Sequence, residues 1–449
     1  MARPIKIVMI GGGSYAWTPN ITKDILLTPA LTNAQFVFYD INKKASDLTK
    51  AFVERLAPEI KVKPNIISTD NRAKAFADAD YFIITISTGG LDAMEHDIAI
   101  PEKYGVYHTV GDTSGPGGWA RTIRNFNVFV DLAKAMNQYA PGAMVLNYTN
   151  PMTCLTDVLA RLCKGPVVGL CHGLFENLEF IKRYYKLADE NEIAIQYAGL
   201  NHFFWATEVF ARGKDVMADL DRKINKQGLG FTDLLRDSSP DPMGFKSNRE
   251  VATELFRLTG VMPYLGDRHT CEFFSWYVTN KKNMEKYKIL RTPVKARKKG
   301  NAWRRKDLER MAKGGKITED HYFRASRETA ADIINAHSQG KVFIDVGNVP
   351  NTGQITNLPA GTVVETAVRV DRNGFTPIGF GKLPPQVAAL VEPWAHVFNM
   401  TVDACFRRDK KMALQALRID PVCAHLNADQ VNQMGEQLLS AHKKFVTLK

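Results

Sequence analysis

Several short motifs of this chain carry residue types that bind metal ions. Cys171 follows the apolar run of "VVGLCHG", and His202 lies in the mainly apolar stretch "GLNHFFW". A structural zinc site requires four protein ligands, so one cysteine and one distant histidine make a poor closed site. Two protein ligands leave coordination positions for water and substrate, and Cys171 with His202 therefore suit a catalytic metal ion. A core histidine with no ligand is the alternative for His202.

Two further stretches carry charged residues that could act on a substrate. In "YLGDRHTCEF" (264–273), Asp267 could serve as a general base and Arg268 could hold an anionic group. An ordinary surface turn is the alternative for this stretch. Asp112 lies in the glycine-rich stretch "VGDTSGPGGWARTIRN" (110–125). It is either an active-site residue or a helix cap.

The N-terminal stretch "KIVMIGGGSYAWTP" has the pattern of a dinucleotide-binding turn. Gly11, Gly13 and Ala16 match G-x-G-x-x-[G/A] between a predicted strand and a predicted helix. Glycines there let backbone amides approach a pyrophosphate at the helix N-terminus. Asp40 ends the second predicted strand, where an acid binds a ribose 2′-hydroxyl and favours NAD over NADP. A tight turn with an unrelated acid is the alternative. The predicted NAD contacts are Gly11, Gly12, Gly13, Ser14 and Asp40.

Unbroken apolar runs, separated by helical stretches, must position these residues in the first half of the chain. Such runs indicate strands covered on both faces, as in a doubly wound parallel sheet. The predicted strands cover residues 5–10, 34–40, 66–70, 79–87, 142–150 and 165–173. Ligands of these sheets bind at the carboxyl ends of the strands, where Asn150 and His172 lie. Asn201 adds a second amide beside His202.

The second half changes character near residue 197, with helical stretches followed by a β-rich block at 341–380. Turn signals occur in that block at Asn351–Gly353 and Asn373–Gly374, and the chain is helical again from Pro384. The sequence thus predicts an α/β fold with two domains. A Rossmann-type domain spans 1–195, and an α+β domain for substrate, metal and oligomerisation spans 196–449.

Composition indicates a soluble globular protein, with 449 residues, 45% hydrophobic residues, 24% charged residues and a mean hydropathy of −0.22. No apolar run reaches membrane-span length, and the first apolar stretch ends in glycines too early for a signal peptide. The six cysteines form no C-x-x-C pair, which suits a reducing compartment. We therefore expect a cytoplasmic protein with no membrane partner.

Most of the net charge of +12 lies in one segment, residues 295–316. Ten lysines and arginines there face only Asp307 and Glu309. A nucleic-acid-binding role would depend on this segment alone, and it has one aromatic residue, Trp303, and no recognition motif. A solvated loop and helix is the favoured interpretation. Attraction of an anionic small substrate is an intermediate one.

In their order along the chain, these motifs resemble glycoside hydrolase family 4, the NAD- and manganese-dependent glycosidases. The resemblance rests on the glycine-rich N-terminus, "GDTSGPGG", "NYTNPM", "CHG", "GLNH", "GDRH" and "NTGQITNLPAGTVVET", and covers nearly the whole chain. It is strongest to the α-galacturonidase branch; α-glucosidases, α-galactosidases and α-glucuronidases are close. It implies a fold like that of lactate and malate dehydrogenases, and a homodimer or homotetramer.

The reaction that this resemblance implies uses a redox cofactor, a metal and a sugar together. The sugar is oxidised at C3, which acidifies the proton on C2. A base removes that proton while Mn²⁺ stabilises the charge on the C2 and C3 oxygens. The glycosidic oxygen leaves, water adds to C1, and C3 is reduced again, so NAD is regenerated in each turnover. The family is an exception to the two-carboxylate rule of glycoside hydrolysis.

The resemblance also implies a role for each matching residue. Cys171 and His202 match the metal ligands, although manganese usually prefers oxygen donors to a thiolate. Asp267 matches the C2 base of α-acting members, and His172 is the candidate acid for the leaving group. Because phosphoglycosidases carry an acid or amide at the position of His172, a 6-phosphosugar is not the expected substrate. The remaining predicted site residues are Asp112 in the active-site loop and Asn150, Asn201 and Arg268 as substrate contacts.

Two rival functions lie outside this family. A dehydrogenase of the lactate/malate type would consume NAD and need no metal, so it gives no reason for both Cys171 and His202. A nucleic-acid-binding protein would work through 295–316. The expected partner is instead a small glycoside, and no nucleic acid.

Overall fold

The structure is a computed structural model that describes residues 3–235, 248–317 and 319–449. Within those residues, the strands are β1 (Lys6–Ile10), β2 (Gln35–Tyr39), β3 (Asn65–Thr69), β4 (Tyr81–Ile84), β5 (Met144–Asn147), β6 (Val167–Gly169), β7 (Ile193–Leu200), β8 (Phe203–Ala211), β9 (Lys214–Asp215), β10 (Met262–Pro263), β11 (Phe343–Pro350), β12 (Val363–Asp371) and β13 (Gly374–Pro377).

The α-helices of the same residues are α1 (Trp17–Leu27), α2 (Lys43–Leu56), α3 (Arg72–Phe76), α4 (Gly90–Glu102), α5 (Gly115–Tyr139), α6 (Met152–Leu162), α7 (Gly173–Tyr184), α8 (Val216–Asp221), α9 (Phe231–Leu235), α10 (Glu250–Thr259), α11 (Asp267–Thr270), α12 (Ser275–Val278), α13 (Lys281–Lys286), α14 (Val294–Ala312), α15 (Ala330–Gln339), α16 (Pro385–Arg407), α17 (Lys410–Arg418) and α18 (Ala428–Ala441).

The first six strands form a parallel sheet in the order β3-β2-β1-β4-β5-β6. This is the strand order of a Rossmann-type doubly wound fold. Ile7, Val8 and Met9 of β1 are fully buried, because helices cover both faces of the sheet. The prediction of a doubly wound parallel sheet is therefore confirmed.

The sheet does not stop at β6 but continues into antiparallel strands of the second half. Asn348 of β11 pairs with Gly169 of β6, and the order runs on through β12, β7, β8 and β10. Helices α16, α17 and α18 follow this block, so the predicted α+β part is also confirmed. The predicted boundary between 195 and 196 falls inside β7, within the continuous sheet.

The turns expected in the β-rich block are present. Asp371 pairs with Gly374 where β12 turns into β13, and the side chain of Asn351 accepts a hydrogen bond from the Gly353 amide. Among the described residues, no helix combines the length and apolar character that a membrane span requires.

Candidate active site

The glycine-rich turn after β1 packs closely against β2. The amides of Gly11 and Gly12 both donate to the carbonyl of Tyr39, at 3.0 Å each. A Cβ atom on Gly12 would lie 2.7 Å from Phe38 Cα, and Gly11 has a φ of +92° that favours glycine. Only a turn without side chains can come this close to the strand. The first turn of α1 then follows it directly.

Asp40 lies beside this turn, as a ribose-binding acid would. Its carboxylate accepts from the Gly13 amide at 2.9 Å and from the Asn42 amide at 2.8 Å. Ser14 accepts a hydrogen bond from the Trp17 amide at the start of α1. The residues predicted to contact NAD thus form one local unit, while their contact to NAD remains a prediction.

A cluster of possible metal ligands forms where the turn between β7 and β8 meets α11 and the loop before α5. Ligand atoms of Asp112, His202 and His269 all lie within 4.8 Å of one another. The rings of His202 and His269 stack with centroids 3.8 Å apart. The Thr113 hydroxyl donates to Asp112 at 2.8 Å and lies 3.0 Å from His202 Nδ1. If Nδ1 donates to that hydroxyl, the lone pair of His202 Nε2 is left for a metal ion.

The electrostatics of this cluster suit a divalent cation. Burial lowers the pKa of His202 well below its usual value and also lowers that of His269, so both rings are neutral. Burial acts to raise the pKa of Asp112, but the neighbouring His269 imidazole and Arg121 guanidinium outweigh it and hold that pKa well below its usual range. Two neutral imidazoles and one carboxylate form a donor set for a divalent metal.

Cys171, the other predicted ligand, lies just after β6 and outside the group of three. Burial raises the pKa of its thiol, and a hydrogen bond from Asn201 acts in the opposite direction. Tyr264 lies near both Cys171 and the cluster. Its ring stacks on that of His202 with centroids 5.9 Å apart, and its pKa is raised by burial and, to a smaller extent, by Glu176 and Cys171. The ligand role of Cys171 remains a prediction.

A buried amide–carboxyl network lies behind Cys171. The side chains of Asn201 and Asn348 both donate to Glu365, at 2.9 Å each. Glu365 is fully buried, and this burial raises its pKa to about 7. The predicted substrate contact Asn201 therefore also has a structural partner that holds it beside the thiol.

Asp267 forms a cap on α10. Its two carboxylate oxygens accept from the amides of Val251 and Ala252, at 3.0 Å each. The side chain is buried, and burial raises its pKa to about 7 against the effect of these two hydrogen bonds. Asp267 therefore has a structural role as a helix cap. Its second role, as the base that removes the C2 proton of the sugar, remains a prediction.

His172 is held between an aromatic ring and a carboxylate. Its ring stacks on Trp17 at 5.7 Å, and its Nε2 forms a hydrogen bond with Glu328. Burial lowers the pKa of His172, but the hydrogen bond and charge of Glu328 outweigh this and raise it overall. The imidazole is thus stabilised as a protonated group at the end of β6.

Glu272 fixes the loop that carries Asp112. Its carboxylate accepts from the amides of Thr109 at 2.6 Å, Val110 at 2.7 Å and Gly111 at 2.9 Å. The side chain is fully buried, so these bonds compensate its charge. Glu272, although adjacent to the GDRH motif, therefore holds a loop in place.

Two arginines and an amide surround the cluster. Arg121 donates to the carbonyl of Asn150 at 2.9 Å, and its charge acts on Asp112. The Oδ1 atom of Asn150 is buried with no hydrogen-bond partner within the described chain. Arg268 is half-buried, and its charge acts on His269. These positions lie around one site, and their contact to a sugar remains a prediction.

The chain was compared with families of known proteins. The model "Family 4 glycosyl hydrolase" matches residues 6–187, and the model of the family's C-terminal domain matches residues 197–423. The chain belongs to glycoside hydrolase family 4. It is thus a glycosidase by family.

Individual relatives of this family 4 glycosidase cover nearly its whole length. It is 32% identical to an α-galacturonidase of Bacillus subtilis (strain 168) over 97% of both chains. It is also 32% identical to an α-galactosidase of the same strain, over 97% of this chain and 98% of the relative. The family's α-galacturonidase and α-galactosidase branches are therefore matched at the same identity.

Solved structures match the fold. The Thermotoga maritima 6-phospho-β-glucosidase, solved with manganese, NAD⁺ and glucose-6-phosphate, has a TM-score of 0.80 at 24% identity, covering 99% of this chain and all of that chain. A Plasmodium falciparum malate dehydrogenase solved with NADH has a TM-score of 0.51 at 12% identity, covering 90% of this chain and 99% of that one. The predicted dehydrogenase-like fold is confirmed.

Several residues of this family 4 site escaped the sequence analysis. His269 is part of the quoted GDRH motif but was not predicted to be a ligand. Glu328 is distant in sequence from His172 and lies in no quoted motif, whereas Glu365 lies in the quoted NTGQITNLPAGTVVET motif but was not predicted to hold Asn201. Arg297 lies in the basic segment. Its buried guanidinium was not predicted, because most charged residues of that helix are exposed.

Proposed function

We propose that this family 4 glycosidase hydrolyses α-galacturonides with NAD and Mn²⁺, through transient oxidation of the sugar at C3. The observation that carries the proposal is a metal-ligand cluster bordered by three arginines. Asp112, His202 and His269 lie together, and the charges of Arg121, Arg268 and Arg297 act on this group. An anionic sugar with neighbouring hydroxyls needs both features at once.

The residues of the glycine-rich turn fit the cofactor. A Cβ atom on Gly13 would lie 2.6 Å from Ala45 Cβ and 2.8 Å from Asp40 Oδ2, so the turn has room for backbone only. Gly11, Gly12, Gly13 and Ser14 would present amides to the pyrophosphate, and Asp40 would accept from ribose hydroxyls. When bound, NAD supplies the acceptor, and later the donor, of the hydride at C3.

The metal cluster also fits its ion. Asp112, His202 and His269 supply one carboxylate and two neutral imidazoles, and Cys171 would add a thiolate once its proton is released. When bound, Mn²⁺ supplies positive charge at the C2 and C3 oxygens of the sugar. The Thr113 hydroxyl orients His202 for this task, and Glu272 holds the loop of Asp112 in place.

The proton transfers would fall to two side chains, Asp267 and His172. Asp267 would take the proton from C2, releasing a hydrogen bond from the start of α10 as it does so. His172 would give its proton to the glycosidic oxygen, with Glu328 stabilising the charged ring beforehand. Asn150 has a buried acceptor atom for a sugar hydroxyl, and Arg268 would bind the C6 carboxylate.

A panel of 4-nitrophenyl α-glycosides tests the proposal. The galacturonide, galactoside, glucoside and glucuronide are assayed with NAD⁺, Mn²⁺ and a reductant. The galacturonide should have the highest kcat/KM, its rate should depend on both additions, and no net NADH should accumulate. Full turnover by metal-free, cofactor-stripped enzyme would contradict the proposed chemistry. Stoichiometric NADH would instead indicate a dehydrogenase.

An α-galactosidase activity is the second candidate. The 32% identity to an α-galactosidase, equal to that of the α-galacturonidase, favours it. The same panel separates the two. Faster cleavage of the neutral galactoside than of the galacturonide would support this candidate and reject the uronide.

A further inference from the structure

The first turn of the basic helix α14 is fixed against the active-site half of the molecule. Val294 packs in a buried cluster with Val110, two residues before Asp112. Lys298, one turn further on, pairs with Asp92 of α4 at 2.6 Å. Arg297 lies three residues after Val294 and therefore points to the same side of the helix.

Arg297 differs from the other basic residues of α14. Arg304 and Arg305 are exposed, whereas the Nε and Nη2 atoms of Arg297 are buried and have no hydrogen-bond partner within the described residues. A buried charged group is normally hydrogen-bonded, because its loss of water is otherwise uncompensated. Burial accordingly lowers the pKa of Arg297, although a guanidinium remains charged at any working pH.

The groups around Arg297 already have other partners. The charges of Asp112 and Glu272 favour its charged form, while those of Arg268 and Arg121 oppose it. Glu272 is occupied by three loop amides, and Asp112 by Thr113. Neither carboxylate forms a hydrogen bond with the guanidinium, so its two buried donors have no acceptor in the part of the chain that the structure describes.

These two donors have the geometry of a carboxylate site. Nε–H and one N–H of Nη2 are parallel along one edge of the planar guanidinium, and this edge matches the two oxygens of a carboxylate. We propose that Arg297 binds the C6 carboxylate of the substrate through this edge and determines the preference for uronides over neutral sugars. This assignment rests on the proposed function, and it adds to Arg268 a second guanidinium from a different element.

The test compares kcat/KM for 4-nitrophenyl α-galacturonide and α-galactoside in the wild type, Arg297→Ala, Arg297→Lys and Arg268→Ala. Arg297→Ala should lower the galacturonide value by about 10- to 100-fold, the range of a bidentate charge-assisted pair, and leave the galactoside value within about threefold. Arg297→Lys should recover only part of the loss, because an ammonium cannot form the fork. Arg304→Ala, at an exposed position two turns further along α14, is the matched control.

Inhibition distinguishes the anion that is bound. Free galacturonate should inhibit the wild type more strongly than galactose or glucose 6-phosphate does. In Arg297→Ala, inhibition by galacturonate should fall to the level of the other two sugars, whose inhibition should not change.

Equal losses of kcat/KM on both substrates, with a lowered thermal midpoint, would show that Arg297 has a structural role and would overturn the assignment. An unchanged substrate ratio in Arg297→Ala, with galacturonide still the best wild-type substrate, would overturn it too and leave the proposed function intact. A wild type that prefers the galactoside would reject the proposed function itself.

Discussion

Cys171 is the residue whose proposed role departs most from ordinary coordination chemistry. Its thiol pKa is raised by burial, and a manganese ion prefers oxygen donors. A thiolate at this position therefore forms only if a bound cation displaces its proton. The ligand role of Cys171 is therefore tested by measuring the affinity of the enzyme for Mn²⁺ as well as its activity.

Cys171→Ser should weaken Mn²⁺ binding by at least about 10- to 100-fold and abolish activity, while NAD binds as before. Titration calorimetry with Mn²⁺ and with NAD⁺ measures both affinities. Cys163→Ser is the matched control, because Cys163 is also half-buried but lies at the end of α6. Near-normal rates of Cys171→Ser in the presence of EDTA would show that Cys171 is structural.

Asp267→Asn should remove the C2 base and also one of the two capping bonds on α10, because an amide nitrogen cannot accept from a backbone amide. We expect a loss of activity of at least about 10²-fold and a destabilisation of about 1 kcal/mol. Exchange of deuterium from C2 of the sugar into solvent should stop, as measured by NMR spectroscopy.

The control for this variant is Asp409→Ala, which removes one capping bond, since Asp409 accepts from the Met412 amide at the start of α17. It should lower the thermal midpoint by a similar amount and leave C2 exchange unchanged. Persistent C2 exchange in Asp267→Asn would assign the base to another residue, and Asp112 would be the next candidate.

At the level of single residues, motif and position predicted candidate site residues, but not the partners that hold their side chains. Cys171, His172, His202 and Asp267 were found because each stands in a short local pattern. Glu328 was not, because a carboxylate in an irregular stretch has no pattern until the fold brings it to His172.

Among the elements, the parallel strands were the most predictable, since an unbroken apolar run fits only a strand covered on both faces. Helix α2 lies between two of these runs, as the alternation of apolar runs and helical stretches predicted. The pairing of β11 with β6 was not predictable, because antiparallel pairing between distant segments leaves no periodic signal in either. The helix α14 was predicted to be solvated, which holds for most of its residues but fails at Arg297 and at the buried Val294, Leu308 and Met311.

The C-terminal helix α18 ends at a buried ion pair that connects it to α4 and α5. Asp97 accepts from Arg124 at 2.5 Å and lies 2.7 Å from Nε2 of His442, and neither Asp97 nor Arg124 is exposed. Removing one member of such a group leaves an uncompensated charge in the core, which costs about 3–5 kcal/mol. Asp97→Ala should therefore lower the thermal unfolding midpoint by several degrees. Asp131→Ala, an exposed position on α5, should change it by less than about 1 °C, and equal shifts would refute the role of the pair.

The continuous sheet explains how one molecule combines a redox turn with a metal cluster. The glycine-rich turn follows β1, Cys171 follows β6, and His202 lies between β7 and β8, so the antiparallel strands connect the proposed metal ligands to the proposed cofactor turn in one sheet. In a malate dehydrogenase-like fold used only for oxidation, hydride leaves with the reduced cofactor. Asp267 and His172, the proposed proton-transfer groups, suit instead a reaction cycle in which the hydride returns from the cofactor to the sugar.

A doubly labelled substrate tests this cycle on the whole enzyme. With deuterium at both C2 and C3 of the galacturonide, the label at C2 should exchange with solvent, because a deuteron taken up by the proposed base Asp267 becomes an exchangeable carboxyl proton. The label at C3 should stay in the product, because the hydride is returned to the carbon from which it came while the cofactor remains bound. Mass spectrometry of the released sugar, with NMR assignment of the position, measures both. Loss of the C3 label, or retention of both labels during full turnover, would contradict the oxidation–elimination cycle; hydrolysis through two carboxylates would retain both.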